Sequence, residues 1–175
     1  MILKNYTSAV PSGVTINRIQ GFLIKAGVAS LSMDYGLNGE TVALTFAIQI
    51  EANKRPVMIR LPANVEGAHE ALWLDYIGTD RIRDLQNGDK ETAYPSKKRL
   101  RRSSFKDQAE RTAWRLTQDW IEVQLSMVQL KQADFMQVFL PYTWDGKQSF
   151  YQRIKGGGFL ALEQGKPQES EAEIV

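Results

Sequence analysis

The sequence predicts an α+β fold in which a three-stranded antiparallel meander is packed by helices. Apolar residues alternate with small or polar ones from Val42 to Ile50, which is typical of a half-buried strand. Further along, apolar residues recur at helical spacing between Phe105 and Leu130, which indicates a long amphipathic helix. With 175 residues, of which 43% are hydrophobic and 24% charged, the chain suits one domain with a sizeable core.

The first predicted element is an amphipathic helix over about Thr15 to Ala26. Gly27 follows it, where glycine forms a left-handed C-terminal cap at little cost. Pro11 and Ser12 suit the start of the helix, with Ser12 or Thr15 as the N-cap. The residues that share one face at helical spacing are Ile16, Ile19, Phe22, Leu23 and Ala26.

Three strands are predicted to follow this helix. Leu31 to Tyr35 and the run that begins at Val42 are separated by Gly36-Leu37-Asn38-Gly39, which favours a hairpin because glycine and asparagine tolerate positive φ. A third strand, Val57 to Leu61, comes after a turn-like segment that ends at Pro56. The resulting meander has one apolar face, and helices must cover it.

A second helix is predicted from Asn64, a good N-cap, to about Ile77. Glycine, proline and polar residues then interrupt every periodic pattern, so residues 78–103 are interpreted as a mobile basic connector, with a helical turn near Arg81 to Leu85 as an option. We interpret residues 1–162 as a single α+β domain and residues 163–175, rich in glutamate and glutamine, as a disordered acidic tail.

The long aromatic-rich helix is predicted from Ser104 to Lys131. Asp134 is expected to cap a short final helix that Pro141 ends. In the long helix, the residues that form one apolar stripe, spaced three or four apart, are Phe105, Ala109, Ala113, Leu116, Trp120, Val123, Met127 and Leu130.

Several classes of protein are disfavoured by what the sequence lacks. Cysteine is absent, which removes disulfides, thiolate zinc sites and cysteine nucleophiles together. The N-terminal residues do not resemble a secretory signal, and no apolar run approaches the roughly 20 residues that span a bilayer. We therefore expect a cytoplasmic protein that has no membrane contact and no cofactor.

Positive charge is concentrated in the middle of the chain, although the net charge is only +2. The basic run, defined as Lys97 to Arg102, has the density of cations that phosphate binding requires. Trp114 lies between two of the arginines and outside the apolar stripe, so it is a candidate for exposure and for stacking on a base, with packing in the core as the alternative. The predicted nucleic-acid-binding residues are Lys97, Lys98, Arg99, Arg101, Arg102, Lys106, Arg111, Trp114 and Arg115.

Two simpler interpretations of the basic run stay open. It can be a solvated loop that serves solubility, or it can pair with the acidic tail of its own chain. Most of the aromatic residues in the C-terminal half are expected to pack in the core, while Trp144 sits in a predicted turn and is a second candidate for exposure.

The sequence does not favour an enzyme, since no complete catalytic signature is present. His69, the single histidine, lies between Glu66 and Glu70, but no further residue has the sequence spacing expected of a third metal ligand. The element order also resembles a PD-(D/E)xK nuclease core with Asp34, Glu51 and Lys54 as its charged residues. In that family only one residue separates the second acid from the lysine, and the wider spacing here contradicts the motif.

Three segments resemble those of small uncharacterised proteins encoded by phages and integrated mobile elements. They are Glu110-Arg111-Thr112-Ala113-Trp114-Arg115, Asp119-Trp120-Ile121-Glu122 and Phe139-Leu140-Pro141-Tyr142. This resemblance implies a context of replication, recombination or interference with host defence, and it carries over no functional residue.

We therefore expect a non-enzymatic nucleic-acid-binding protein of a phage or mobile element that contacts phosphates through the basic connector and the start of the long helix. The alternatives are a protein-interaction module that docks on a host or phage protein, such as a defence inhibitor, and a metal-dependent nuclease.

Overall fold

The computed structural model describes residues 3–50, 54–87 and 100–157, with side chains described up to residue 78 in the second range. The predicted α+β fold is confirmed: a three-stranded antiparallel sheet of order β1-β2-β3 packs against helices. The elements are α1 (Ser12–Lys25), β1 (Ser30–Tyr35), β2 (Thr41–Ile48), β3 (Val57–Pro62), α2 (Val65–Asn87), a 3₁₀ turn (Arg102–Phe105), α3 (Lys106–Gln129), α4 (Phe135–Phe139), a second 3₁₀ turn (Leu140–Tyr142) and α5 (Phe150–Gly157).

A tight turn joins the first two strands of the meander, whose apolar residues alternate. Between β1 and β2 the Gly36 N–H donates to the Glu40 carbonyl at 2.8 Å, and Gly39 takes a φ of 80°, which glycine adopts without strain. In register, Phe46 of the central strand faces Leu31 on β1 and Ile59 on β3. One face of the sheet is therefore apolar across all three strands.

The main core lies between that face and the helices. Phe46 packs edge to face against Phe139 of α4 with ring centroids 5.8 Å apart, and Trp120 of α3 packs against the same ring at 5.6 Å. The buried members of this cluster are Ile16, Ile19, Leu23, Leu44, Phe46, Ile59, Leu61, Trp114, Ile121 and Phe139. α1, α3 and α4 thus cover the sheet together.

A second, smaller cluster joins α2 to α3. Ala68 and Leu72 of α2 are buried against Ala109 and Ala113 of α3. Three of these four side chains are single methyl groups, which let the two helices approach closely. α3 therefore packs on two sides, against α1 and the sheet on one and against α2 on the other.

The predicted stripe of α3 is wrong in its C-terminal half. Val123 is 56% exposed and Leu130 is 68% exposed, although both belong to the predicted apolar face. The buried stripe instead includes Trp114, Gln118 and Ile121. Because Gln118 interrupts that second stripe with a polar side chain, it is hard to recognise from the sequence.

The predicted boundaries of the second helix and of the mobile connector are also wrong. α2 continues through Gly78 to Asn87, so the backbone of residues 78–87 is helical and the turn considered near Arg81 to Leu85 is part of α2. At the other end, Arg102–Phe105 forms a 3₁₀ turn that leads into α3. The rest of the connector, residues 88–99, and the predicted acidic tail lie outside the described residues.

Candidate nucleic-acid interface

The C-terminal end of the basic run is fixed to α2. The Leu100 N–H donates to the Tyr76 hydroxyl at 3.1 Å, and His69 Nε2 lies 2.8 Å from the Arg102 carbonyl oxygen, to which it donates in the Nε2–H tautomer. The Phe105 ring lies 5.3 Å from that of Tyr76 and 6.1 Å from that of Trp73. The basic run therefore ends at a defined position on the protein surface, in the 3₁₀ turn that leads into α3.

Two predicted cations are exposed at this point. Arg101 precedes the 3₁₀ turn, Lys106 begins α3, and both side chains are exposed. No carboxylate in the described part of the chain pairs with either of them. Lys97, Lys98 and Arg99, which complete the basic run, lie outside the described residues.

Arg102 is held by carboxylates of the same chain. Its guanidinium pairs with Glu70 and lies 3.4 Å from a Glu66 oxygen, and its side chain stays about half exposed. Exposed ion pairs of this kind contribute little to stability, but they reduce the positive charge that a phosphate meets. Arg102 is therefore partly neutralised in the free protein.

Arg111 has a structural role. Its Nε donates to the Ser8 carbonyl at 3.1 Å, and its Nη2 donates to Gln108 Oε1 at 2.7 Å. Gln108 in turn donates to the Tyr6 carbonyl at 2.6 Å. The two side chains fasten the N-terminal loop to α3, so Nε and one Nη2 donor of Arg111 are engaged within the fold and hold the guanidinium in place.

Arg115 is also engaged within the fold. Its Nε lies 3.3 Å from Asp119 Oδ1, and the other Asp119 oxygen accepts from Lys4 Nζ at 2.8 Å and from Asn5 Nδ2 at 3.0 Å. Burial raises the pKa of Asp119, but the hydrogen bonds from Lys4 and Asn5 and the charges of Lys4 and Arg115 outweigh it, so the pKa lies below its usual value.

Replacing Asp119 with asparagine is expected to lower the free energy of unfolding by about 1–2 kcal/mol at pH 7. The pKa is depressed in the folded state, so the stabilisation is present above the unfolded pKa and is lost as the pH falls through the folded one. The difference between the two proteins should therefore shrink below about pH 4. Urea unfolding at pH 7 and pH 3 measures it, and a difference independent of pH would contradict this role.

Trp114, the candidate for base stacking, is buried. Its side chain is 0% exposed and belongs to the main core with Ile121 and Phe139, while its Nε1 has no hydrogen-bond partner among the described residues. A base cannot stack on it without unfolding α3. The sequence misled because α3 packs on two sides, so a residue outside the first apolar stripe is buried by the second.

A site that sequence reasoning missed lies where β3, the Leu140–Tyr142 turn and α5 meet. This aromatic groove has a volume of about 490 Å³. The side chains that carry its chemistry are Arg60, Tyr142, Trp144, Ser149, Tyr151 and Lys155. Its three rings and Lys155 are close in the sequence, but Arg60 lies on β3, so only the fold brings this arginine beside the rings.

The group around His69 does not form a metal site in the described residues, and the nuclease alternative stays a prediction. Glu66, His69 and Glu70 do face one side of α2, but they hold Arg102 rather than an ion. Asp34 accepts from Arg60 Nε at 2.7 Å and from Thr45 Oγ1 at 3.1 Å, and Glu51 lies outside the described residues. Within the described ranges no three acidic or histidine side chains are grouped as metal ligands.

Within residues 3–50, 54–87 and 100–157, no helix combines the length and apolar character needed to cross a membrane.

No protein-family model matches the chain, and no curated protein or solved structure is similar to it at a significant level. The resemblance to proteins of phages and mobile elements stays a prediction.

Proposed function

We propose that this is a non-enzymatic nucleic-acid-binding protein, and that the basic run and the start of α3 contact phosphates. One observation carries the proposal: the end of the basic run is fixed to α2 while Arg101 and Lys106 beside it are exposed. The cytoplasmic location and the phage or mobile-element origin expected from the sequence belong to the same proposal.

The attachment of the basic run to α2 favours phosphate binding because less conformational entropy is lost on binding. A free basic loop loses conformational freedom when it binds, which costs roughly 1–2 kcal/mol for each backbone residue that becomes ordered. Here Leu100 and Arg102 are already held by Tyr76 and His69. Each phosphate that a cation contacts also releases condensed counterions, so the favourable free energy of counterion release grows with every contact.

A salt titration tests the proposal. Five cations, namely Lys97, Lys98, Arg99, Arg101 and Lys106, predict a slope of log affinity against log salt of about −3.5 for single-stranded DNA. Affinity should therefore fall about 100-fold between 50 and 200 mM salt, as followed by fluorescence anisotropy of a labelled oligonucleotide. Absence of binding to single- and double-stranded oligonucleotides at low salt would contradict it. Capture of a host or phage protein that survives nuclease treatment would favour the interaction-module alternative instead.

Replacing Glu70 with glutamine is expected to strengthen nucleic-acid binding about two- to fivefold. The change removes the carboxylate that pairs with Arg102 and leaves Glu66 beside it, so the guanidinium becomes partly available to a phosphate. Anisotropy titrations of the two proteins measure the ratio.

The matched control is Glu122→Gln, which removes the same charge from an exposed position on α3. An equal gain in both variants would show that net charge, and not the release of Arg102, sets the affinity.

A further inference from the structure

The aromatic groove combines flat rings with positive charge. Tyr142, Trp144 and Tyr151 line it together with Arg60 and Lys155, and no carboxylate is among its described lining residues. Tyr151 is 50% exposed, and the Lys155 side chain is exposed as well. An unstacked nucleobase needs an aromatic face, and the phosphate next to it needs a cation, so the groove offers what one nucleotide requires.

The walls of the groove are fixed before any ligand arrives. The Trp144 N–H donates to the Met58 carbonyl at 2.8 Å, and Thr143 forms a β-bridge with Ile59, so this segment is attached to the edge of β3. The Ser149 N–H donates to Gln152 Oε1 at 2.8 Å, and the Gln152 N–H donates to Ser149 Oγ at 3.2 Å, which caps the start of α5. A preformed site loses less entropy on binding.

Arg60 joins the groove to the sheet. Its guanidinium carbon lies 4.9 Å from the centre of the Trp144 ring, and its Nε pairs with Asp34 at 2.7 Å. The carboxylate of Asp34 partly neutralises Arg60, as Glu70 does Arg102, but the ion pair runs through Nε, so the two terminal nitrogens keep N–H groups that a phosphate oxygen can accept from. Stacking on Trp144 also holds the guanidinium in place, since cation–π contact restricts its rotation.

A second depression lies beside the groove. This cavity of about 430 Å³ shares Pro62 and Tyr142 with the groove and reaches Asn64, just before α2, and Gly67 in the first turn of that helix. One wall of the cavity is therefore formed by α2, the helix that fixes the end of the basic run.

We infer that the aromatic groove binds one unstacked nucleotide of a single-stranded nucleic acid, with the base against Tyr151 or its neighbouring rings and the phosphate near Lys155 and Arg60. The inference rests on the proposed function for the nature of its ligand. A groove of this kind makes the protein selective for single strands over duplexes, because the bases of a duplex are stacked and paired and cannot enter it.

Two ligands and two variants test the groove. The ligands are an oligothymidylate and an abasic deoxyribose-phosphate oligomer of the same length, and the protein is the full chain. Tyr151→Ala should bind oligothymidylate about tenfold more weakly and leave the affinity for the abasic oligomer unchanged. Lys155→Ala should weaken both ligands and reduce the salt slope by about 0.7.

The controls are Tyr35→Ala and Lys25→Ala. Tyr35 is 59% exposed on β1 and Lys25 is exposed at the end of α1, both outside the groove. If the wild-type protein binds oligothymidylate but the groove variants behave like these controls, the groove assignment is overturned and the proposed function stands. If the wild-type protein binds neither oligomer at low salt, both fall. Tighter binding of an acidic peptide than of oligothymidylate would also overturn the assignment.

Photo-crosslinking gives a second readout that does not depend on variants. An oligonucleotide that carries 5-bromodeoxyuridine should crosslink to the tryptic peptides Gln132–Lys147 and Gln148–Arg153, which contain the three groove aromatics. Crosslinks confined to other peptides would contradict the assignment.

Discussion

Replacing Trp114 with alanine is expected to lower the free energy of unfolding by about 3–5 kcal/mol. The side chain is 0% exposed in the main core, so its removal leaves a cavity among Ile121, Phe139 and the residues of α1 and the sheet. A loss of this size is a large fraction of the stability of a typical domain. Urea unfolding measures it through the transition midpoint and its slope.

The matched control for the Trp114 experiment is Val123→Ala on the same helix. Val123 is 56% exposed, although it lies on the face that the sequence pattern assigns to the core. Its replacement should change the free energy of unfolding by less than about 0.5 kcal/mol. A comparable loss in both variants, or a Trp114→Ala protein that keeps its stability but loses nucleic-acid affinity, would contradict the burial described here.

Neutralising four cations of the basic run should weaken nucleic-acid binding on the order of 10²–10³-fold at 0.1 M salt. The variant carries Lys97→Gln, Lys98→Gln, Arg99→Gln and Arg101→Gln. Each lost contact with a single strand lowers the slope of log affinity against log salt by about 0.7. Summed over four contacts and over the tenfold difference between 1 M and 0.1 M salt, this gives the stated loss of affinity. Anisotropy titrations at several salt concentrations measure both the affinity and the slope.

The control for this variant changes the same number of charges elsewhere. It replaces Arg18, Lys25, Arg55 and Lys131 with glutamine, and all four side chains are exposed outside the basic run and the aromatic groove. Only a small loss of affinity is expected, because screening limits the effect of charges more than about 10 Å from the ligand. Equal losses in the two proteins would mean that overall charge governs binding.

The strands could be predicted from the sequence because their signals are local. The alternation from Val42 and the turn at Gly36 to Gly39 involve neighbouring residues, and the sheet has the predicted order. The Asp134 cap of α4 was equally readable, since its side chain accepts from Met136 N at 2.8 Å, two residues along the chain.

The burial of α3 was harder to predict because two packing surfaces act on one helix. A single stripe of apolar residues describes a helix with one covered face, whereas α3 meets α1 and the sheet on one side and α2 on the other. Trp114 belongs to the stripe that Gln118 interrupts. Because Arg111 and Arg115 flank it in the sequence, Trp114 was a candidate for an exposed basic surface, although its side chain is buried.

The candidate site depends on contacts between distant residues, and sequence patterns do not report these. Glu66 and Glu70 hold Arg102 only because α2 packs beside the start of α3. In the same way, Arg60 reaches Trp144 because the segment after α4 pairs with the edge of β3. The sequence could nominate the cations, but the fold decides which of them stay available to a ligand.

Contact between the basic run and phosphates is tested most directly by lysine acetylation in the presence and absence of a saturating oligonucleotide. Mass spectrometry of the digested protein reports the labelling of each lysine. We expect slower acetylation of Lys97, Lys98 and Lys106 in the complex, with Lys25 and Lys131 unchanged. Labelling of Lys97 and Lys98 at the same rate with and without the bound oligonucleotide would show that phosphates are held elsewhere.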